Sequence, residues 1–278
     1  MSYAHQGGAW ESPSSTLFAI RRALAAGATA IELDVHATAD GELVVCHDAT
    51  VDRTTNGTGR IAELTLAQLK ELDNAYWFIP GADVTPGRPA GDYPFRGRAA
   101  TDPAFRIATL REVLEEFPGV VLNLDIKQTA PLVPPYEAAL ARLLAEYERR
   151  DDVIVASFLD QVTDDFAALA PGVATSAGTL ATAAFWQAVH GGDELPSVRA
   201  VAFQVPLTQG DLVVVDEAFV EAAHGQGAAV HVWTVDDEPT VWRLLDLGVD
   251  GIISDLPTMV SSTLERAGAA WRGPAGVR

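Results

Sequence analysis

Three short apolar stretches of this chain end in ionisable residues, which in two of them alternate with apolar ones. Residues 30–36 read Ala-Ile-Glu-Leu-Asp-Val-His, residues 43–48 read Leu-Val-Val-Cys-His-Asp, and residues 121–127 read Val-Leu-Asn-Leu-Asp-Ile-Lys. A period of two predicts strands, with Glu32, Asp34 and His36 on one face and Asn123, Asp125 and Lys127 on one face of another. Apolar runs predict strands near residues 3–5, 29–35, 43–47, 120–126, 152–156, 173–176, 199–205, 229–234 and 250–254. Stretches at helical period lie between most of them, such as Leu17, Phe18, Ile20 and Leu24, or Leu140, Leu143, Leu144 and Tyr147. This alternation predicts a parallel sheet with crossover helices. About eight such units favour a closed TIM-type (β/α)8 barrel over a doubly wound open sheet. No glycine-rich dinucleotide turn follows the first strand, which weakens the open-sheet option further.

One region breaks the rhythm. Residues 74 to 108 are rich in glycine and proline, with Tyr76, Trp77, Phe78, Tyr93, Phe95 and Phe105 interspersed among Arg88, Arg96, Arg98 and Arg106. A loop of that length is functional or disordered, and the aromatic residues argue for order. The expectation is one barrel domain over residues 1–278, with an insertion after the third strand, spanning residues 49–108, that covers the barrel mouth.

Composition narrows the function. A formal net charge of −19 excludes non-specific binding to nucleic acid and to anionic membranes. An anionic substrate would need a local reversal of that field, which a bound cation supplies. The lone Cys46 excludes an intrachain disulfide and, facing away from His47, reads as core packing. No leader-like start and no apolar run long enough to span a bilayer is present, so a soluble, cytoplasmic protein acting on a small molecule is expected. The oligomeric state stays open.

The chemistry resides at the predicted strand ends. Burying carboxylates among Ile, Leu and Val costs several kcal/mol unless a cation or hydrogen-bond donors offset it. Glu32, Asp34 and Asp125 offer oxygen ligands to a hard divalent cation, Mg²⁺ or Ca²⁺, and Lys127 adds a positive charge. In such a barrel, catalytic groups sit at the C-terminal ends of strands. His5, followed by Gln6-Gly7-Gly8, and His47 occupy matching ends and suit an acid–base pair. His36 reads as a residue that orients Asp34 or the metal. His190 and His224 read as structural, and His231 shares a strand face with Trp233, either in the pocket or in barrel packing.

These residues carry a resemblance. The chain resembles the glycerophosphodiester phosphodiesterase family at His5-Gln6-Gly7-Gly8, Pro13-Ser14-Ser15-Thr16, Glu32-Leu33-Asp34-Val35-His36-Ala37-Thr38-Ala39-Asp40-Gly41 and Val44-Val45-Cys46-His47-Asp48. It continues at Asp52-Arg53-Thr54-Thr55-Asn56-Gly57, Asn123-Leu124-Asp125-Ile126-Lys127, Val232-Trp233-Thr234-Val235 and from Gly248 to Pro257. The resemblance implies a TIM-type barrel with an insertion, metal ligands at Glu32, Asp34 and Asp125, and acid–base histidines at His5 and His47. It implies cleavage of a glycerophosphodiester to glycerol 3-phosphate and an alcohol. A lysophospholipase-D-like or cyclising activity and a non-catalytic phosphate-ester binder are the alternatives.

Three departures stand out. Asp125 falls where the family usually has glutamate, and Ser14-Ser15 where it has Glu-Asn, with Glu11 a nearby candidate for the missing carboxylate. Gln6 falls where the family has an arginine expected on the phosphate. Glutamine donates a hydrogen bond without charge, so Lys127, Arg53 or an insertion arginine is the candidate replacement. Trp233 is the candidate for stacking on the glycerol or head group.

Overall fold

The computed structural model describes residues 1–271 apart from 83, 128 and 130. Eight parallel strands form the staves: β1 (Ser2–His5), β2 (Ala30–Ala37), β3 (Val121–Ile126), β4 (Val153–Ala156), β5 (Ala174–Thr175), β6 (Ala202–Pro206), β7 (Ala229–Trp233) and β8 (Gly251–Ser254). Their hydrogen-bonded order is β5-β4-β3-β2-β1-β8-β7-β6. A parallel bridge from Ser176, just past β5, to Ala202 of β6 closes the ring. Each stave leads to a crossover helix: α1 (Leu17–Ala25), α2 (Leu110–Glu116), α3 (Glu137–Glu146), α4 (Asp160–Leu169), α5 (Thr179–Gly191), α6 (Glu217–Gly225), α7 (Glu238–Asp246) and α8 (Pro257–Arg266). This is the TIM-type barrel.

Polar residues start several of these helices where the backbone N–H groups would otherwise lack acceptors. Thr109 and Glu112 form a reciprocal capping box at α2, and Asp216 and Asp237 cap α6 and α7. Alternation then sorts the staves. Ile31, Leu33, Val35, Leu122, Leu124 and Ile126 face outward and join one core with residues such as Ile20, Val113 and Leu140 of the helices. Phe203, Val205, Val230 and Val232 do the same in the other half, against residues such as Phe185, Phe219, Val241 and Val260. Their parity sends Glu32, Asp34, Asn123 and Asp125 into the barrel.

The third strand in chain order behaves differently. Leu43–Val45 pairs antiparallel with β2, with Val35 opposite Val45 and Ala37 opposite Leu43. It is therefore an appended hairpin strand and not a stave. The insertion follows the third strand of the chain, as expected, but belongs to the connection after the second stave. Antiparallel and parallel strands share a period of two, so the sequence pattern does not separate them.

The insertion is ordered by its aromatic residues. Phe95 and Phe105 pack on Phe18 of α1 at 5.0 and 4.5 Å between ring centroids. Arg96 lies within a cage of Tyr76, Trp77 and Tyr93, at 4.2, 4.6 and 3.7 Å from their ring centroids, and donates to the Tyr76 carbonyl. Asn74 accepts from Thr54 and donates to the Ser14 carbonyl, which ties the insertion to the loop after β1.

Beneath the mouth, Tyr3, Ala30 and Ile253 fill the lumen. Gln204 donates to Asn123 at 2.9 Å and faces His231 Nδ1 at 3.3 Å, and the His231 ring lies 4.9 Å from that of Tyr3. Burial pushes His231 down to about 4, so it stays neutral there. Gly251 faces this layer, and a Cβ at that position would come within 2.6 Å of the His231 ring and 2.9 Å of the Tyr3 ring. Gly251→Ala is expected to cost about 1–3 kcal/mol of stability by overpacking. Urea denaturation checks this, and an unchanged midpoint would contradict the packed-lumen account.

Candidate active site

The C-terminal ends of β1, β2, β3 and β8 converge on one face. Register places His5 opposite Glu32 and Asp34 opposite Asp125. After His5 the chain turns sharply, with Gln6, Gly7 and Gly8 all at positive φ. A Cβ at Gly7 would come within 2.9 Å of Ala19 in α1, and one at Gly8 within 2.8 Å of Pro257 in α8, so glycine is required where this turn threads between two helices.

Glu32, Asp34 and Asp125 are all buried. Lys127 places its ammonium 2.9 Å from Asp34 Oδ1 and 2.9 Å from Asp125 Oδ2. Asp34 Oδ2 and Asp125 Oδ1 have no hydrogen-bond partner although both are buried. Burial, with Asp34 beside it, pushes Glu32 up to about 8, and burial raises Asp125 as well. Lys127 is raised despite its burial, because the carboxylates surround it. Among the described residues no three His, Cys, Asp or Glu side chains form a ready-made cation cage. The lysine stands between two of the expected ligands.

Each histidine is held by its own carboxylate. His5 Nδ1 donates to Asp255 Oδ1 at 2.6 Å, leaving Nε2 beside Gln6 Nε2 at 3.2 Å and Glu32 Oε2 at 3.8 Å. Asp255 is itself fixed by Asp236, which accepts from the Asp255 amide and from Ser254. His47 Nδ1 donates to Asp48 Oδ1 at 2.8 Å, and Arg53 grips Asp48 through Nε at 2.6 Å and Nη2 at 3.1 Å. The two imidazole centroids are 6.0 Å apart and nearly perpendicular, at 84°. Burial opposes the charged form of His5, but Asp255 and Glu32 outweigh it and hold the group at about 9.

A pocket of about 430 Å³ opens between these histidines, lined also by Gln6, Arg53, Asn74 and Phe78. The insertion thus contributes directly to its wall. Gln6 is buried, and its Oε1 has no partner. Trp233 is not among the residues lining the pocket; it packs edge-on to Phe158 at 5.7 Å, and Phe158 lies 5.5 Å from the Lys127 ammonium.

Other candidates are placed elsewhere. Glu11 accepts from the backbone and hydroxyl of Thr258 and so caps α8 instead of replacing a missing site carboxylate. Arg96 is engaged in its aromatic cage, Arg106 donates to the Ala99 carbonyl, and Arg88 and Arg98 are exposed. His36 is buried with Nε2 unpartnered, on the stave face that carries Asp34. His190 and His224 pair with Asp216 and Asp250, and neither lines the pocket. Sequence reasoning did not assign roles to Asp48, Asp236 or Asp255. The rule that points to His5, a polar residue at the C-terminal end of a stave, applies equally to Asp255, one residue beyond β8.

The Glycerophosphoryl diester phosphodiesterase family model matches residues 5–259, and the chain belongs to that family. A glycerophosphodiester phosphodiesterase of Caldanaerobacter subterraneus subsp. tengcongensis is 32% identical over 267 residues, covering 95% of this chain and 98% of that protein. A phosphodiesterase of Oleispira antarctica, solved with the product sn-glycerol-3-phosphate, aligns with a TM-score of 0.75 at 26% identity over 95% of this chain and 96% of that one. A glycerophosphoryl diester phosphodiesterase domain from Mycobacterium tuberculosis shares the fold with a TM-score of 0.77, at 22% identity over 96% of this chain and 98% of that one.

Glu32 and His5 bind protons more tightly in the folded chain than at their ordinary values. The metal-free protein therefore loses stability as pH rises, from Glu32 between 4.5 and about 8 and from His5 between 6.5 and about 9. Thermal melts in chelator should show Tm falling from pH 5 to pH 9, with a flatter decline in Glu32→Gln and Asp255→Asn. A pH profile unchanged by both substitutions would contradict this account.

Proposed function

We propose that the protein hydrolyses glycerophosphodiesters to glycerol 3-phosphate and an alcohol, with His5 and His47 as its acid–base pair. One observation carries the reading: two imidazoles face each other across the pocket, each tethered through Nδ1 to a carboxylate. That tether directs both Nε2 atoms to substrate. The product complex of the Oleispira antarctica relative supports the substrate class.

The chemistry requires two proton transfers at opposite oxygens of one phosphorus. One imidazole takes the proton of the nucleophile, either water or the neighbouring hydroxyl of the glycerol. The other gives a proton to the alcohol oxygen as its bond to phosphorus breaks. Asp255 and Asp48 stabilise whichever imidazole is cationic at each stage, and Arg53 keeps Asp48 in place. Gln6 offers an uncharged donor within the pocket, while Lys127 and Arg53 supply positive charge near the anionic diester.

Glu32, Asp34 and Asp125 would hold a divalent cation, Mg²⁺ or Ca²⁺. Their oxygen-only chemistry fits a hard cation, and the two buried carboxylate oxygens without partners are otherwise costly. Bound there, the cation would stabilise negative charge on the phosphoryl oxygens.

Incubation with glycerophosphocholine and glycerophosphoethanolamine, followed by assay of glycerol 3-phosphate, tests the reading. Chelation is expected to abolish turnover. His5→Ala and His47→Ala should each reduce it at least about 100-fold, as for a lost acid or base. Full turnover in either variant would sink the mechanism, and binding without product under any divalent cation would identify a non-catalytic relative. Gln6→Arg is expected to tighten phosphodiester binding; weaker binding would show that another cation already fills that role.

A further inference from the structure

The pocket between the histidines has an apolar lining as well as a polar one. Ala9, Trp10 and Pro13 come from the loop after β1, and Phe78 and Val84 from the insertion. Trp10 is fixed at both ends of its backbone. Its N–H donates to the Asp255 carbonyl at 3.3 Å, and its carbonyl accepts from the Gly81 amide at 2.7 Å. The residue thus ties the turn that carries Asp255 to the insertion. Its indole is partly exposed and has no ring or cation partner among the described residues. Phe78, in contrast, is buried and stacked on Phe95 at 5.8 Å between centroids. An anchored backbone that presents a free aromatic ring to a pocket is a means of recognition.

The polar lining is largely satisfied within itself. Both oxygens of Asp48 accept from Arg53, and Oδ1 accepts from His47 as well. Asp255 Oδ1 accepts from His5, and Asn74 Oδ1 accepts from the Thr54 hydroxyl. Gln6 Oε1 is unpartnered but sealed from solvent. The charges also balance, with Asp48 and Asp255 set against Arg53 and a His5 held at about 9. Charge alone therefore does not choose between two cationic head groups. The choice falls to hydrogen-bond acceptors and to the ring face. A primary ammonium carries three donors and needs acceptors for them, which this lining has already committed elsewhere. A quaternary ammonium has no donors and favours an aromatic face with apolar neighbours.

We infer that Trp10 is the specificity-determining residue for the alcohol arm of the diester, and that it selects an alcohol bearing a quaternary ammonium over one bearing a primary ammonium. The inference rests on the hydrolytic reading above and narrows its alcohol. The glycerol arm brings two hydroxyls that gain nothing from this apolar lining, whereas the methyl groups of a quaternary ammonium can meet Trp10, Ala9, Pro13 and Val84 together.

Two measurements on the full chain test this. Glycerophosphocholine and glycerophosphoethanolamine are titrated by calorimetry in chelator, where turnover is expected to stop, and kcat/KM is then measured for both with Mg²⁺ or Ca²⁺. The choline ester is expected to show a Kd roughly tenfold lower and a kcat/KM roughly tenfold higher. Trp10→Leu keeps apolar bulk without a ring face and should bring both ratios close to one, while Trp10→Phe should retain part of each. Trp233→Leu, outside the lining, should leave the ratios as in the wild type. Equal values for the two wild-type substrates, a preference for the primary ammonium, or ratios that persist in Trp10→Leu overturn the assignment and leave the hydrolase standing. Turnover of neither substrate overturns the hydrolytic reading, and the titration then decides Trp10 alone: a Kd difference removed by Trp10→Leu upholds it, and equal Kd values or no binding overturn it. If chelator removes binding but turnover occurs with metal, the kcat/KM ratios decide in the same way.

Discussion

Three carboxylates and one ammonium share the mouth of this barrel, and that imbalance governs what surrounds it. Register makes the crowding unavoidable, because Glu32 and Asp34 lie on one stave and Asp125 sits opposite Asp34 on the next. Water is largely excluded, so the excess charge has three available remedies: a retained proton, a cationic side chain or a bound cation. Burial and the neighbouring Asp34 bias Glu32 toward the first, and Lys127 supplies the second. The unpartnered oxygens of Asp34 and Asp125 show where these two remedies fall short.

The histidines answer to the same principle from the outside. Each imidazole has a carboxylate at Nδ1, so positive charge on either ring falls where negative charge is already fixed. These supports come from opposite directions. Asp255 is anchored within the barrel by Asp236, whereas Asp48 depends on Arg53 from the insertion. Integrity of the insertion is therefore part of the electrostatics at His47.

Much of the barrel could be read directly from alternation and helical period, because both report which side of an element is buried. The carboxylate cluster was legible for the same reason: parity alone puts Glu32, Asp34 and Asp125 inside. Pattern does not report neighbours. It could not distinguish Leu43–Val45, an antiparallel addition, from a stave. It left Arg96 available to a phosphate, where three-dimensional packing gives the guanidinium three aromatic rings. It offered Glu11 to the site, where a helix start had the stronger need for an acceptor. It left Asp48 and Asp255 without roles because their meaning lies in partners, in one case at the far end of the chain.

The appended hairpin gives the two histidines different footings. His5 ends a stave bonded on both sides, by β2 and β8. His47 follows a three-residue strand held between β2 on one side and Ala108 and Thr109, where the insertion ends, on the other. One imidazole thus belongs to the frame and the other to a strap closed by the insertion. The far end of the insertion therefore bears on where His47 sits, a dependence that the staves flanking His5 do not share.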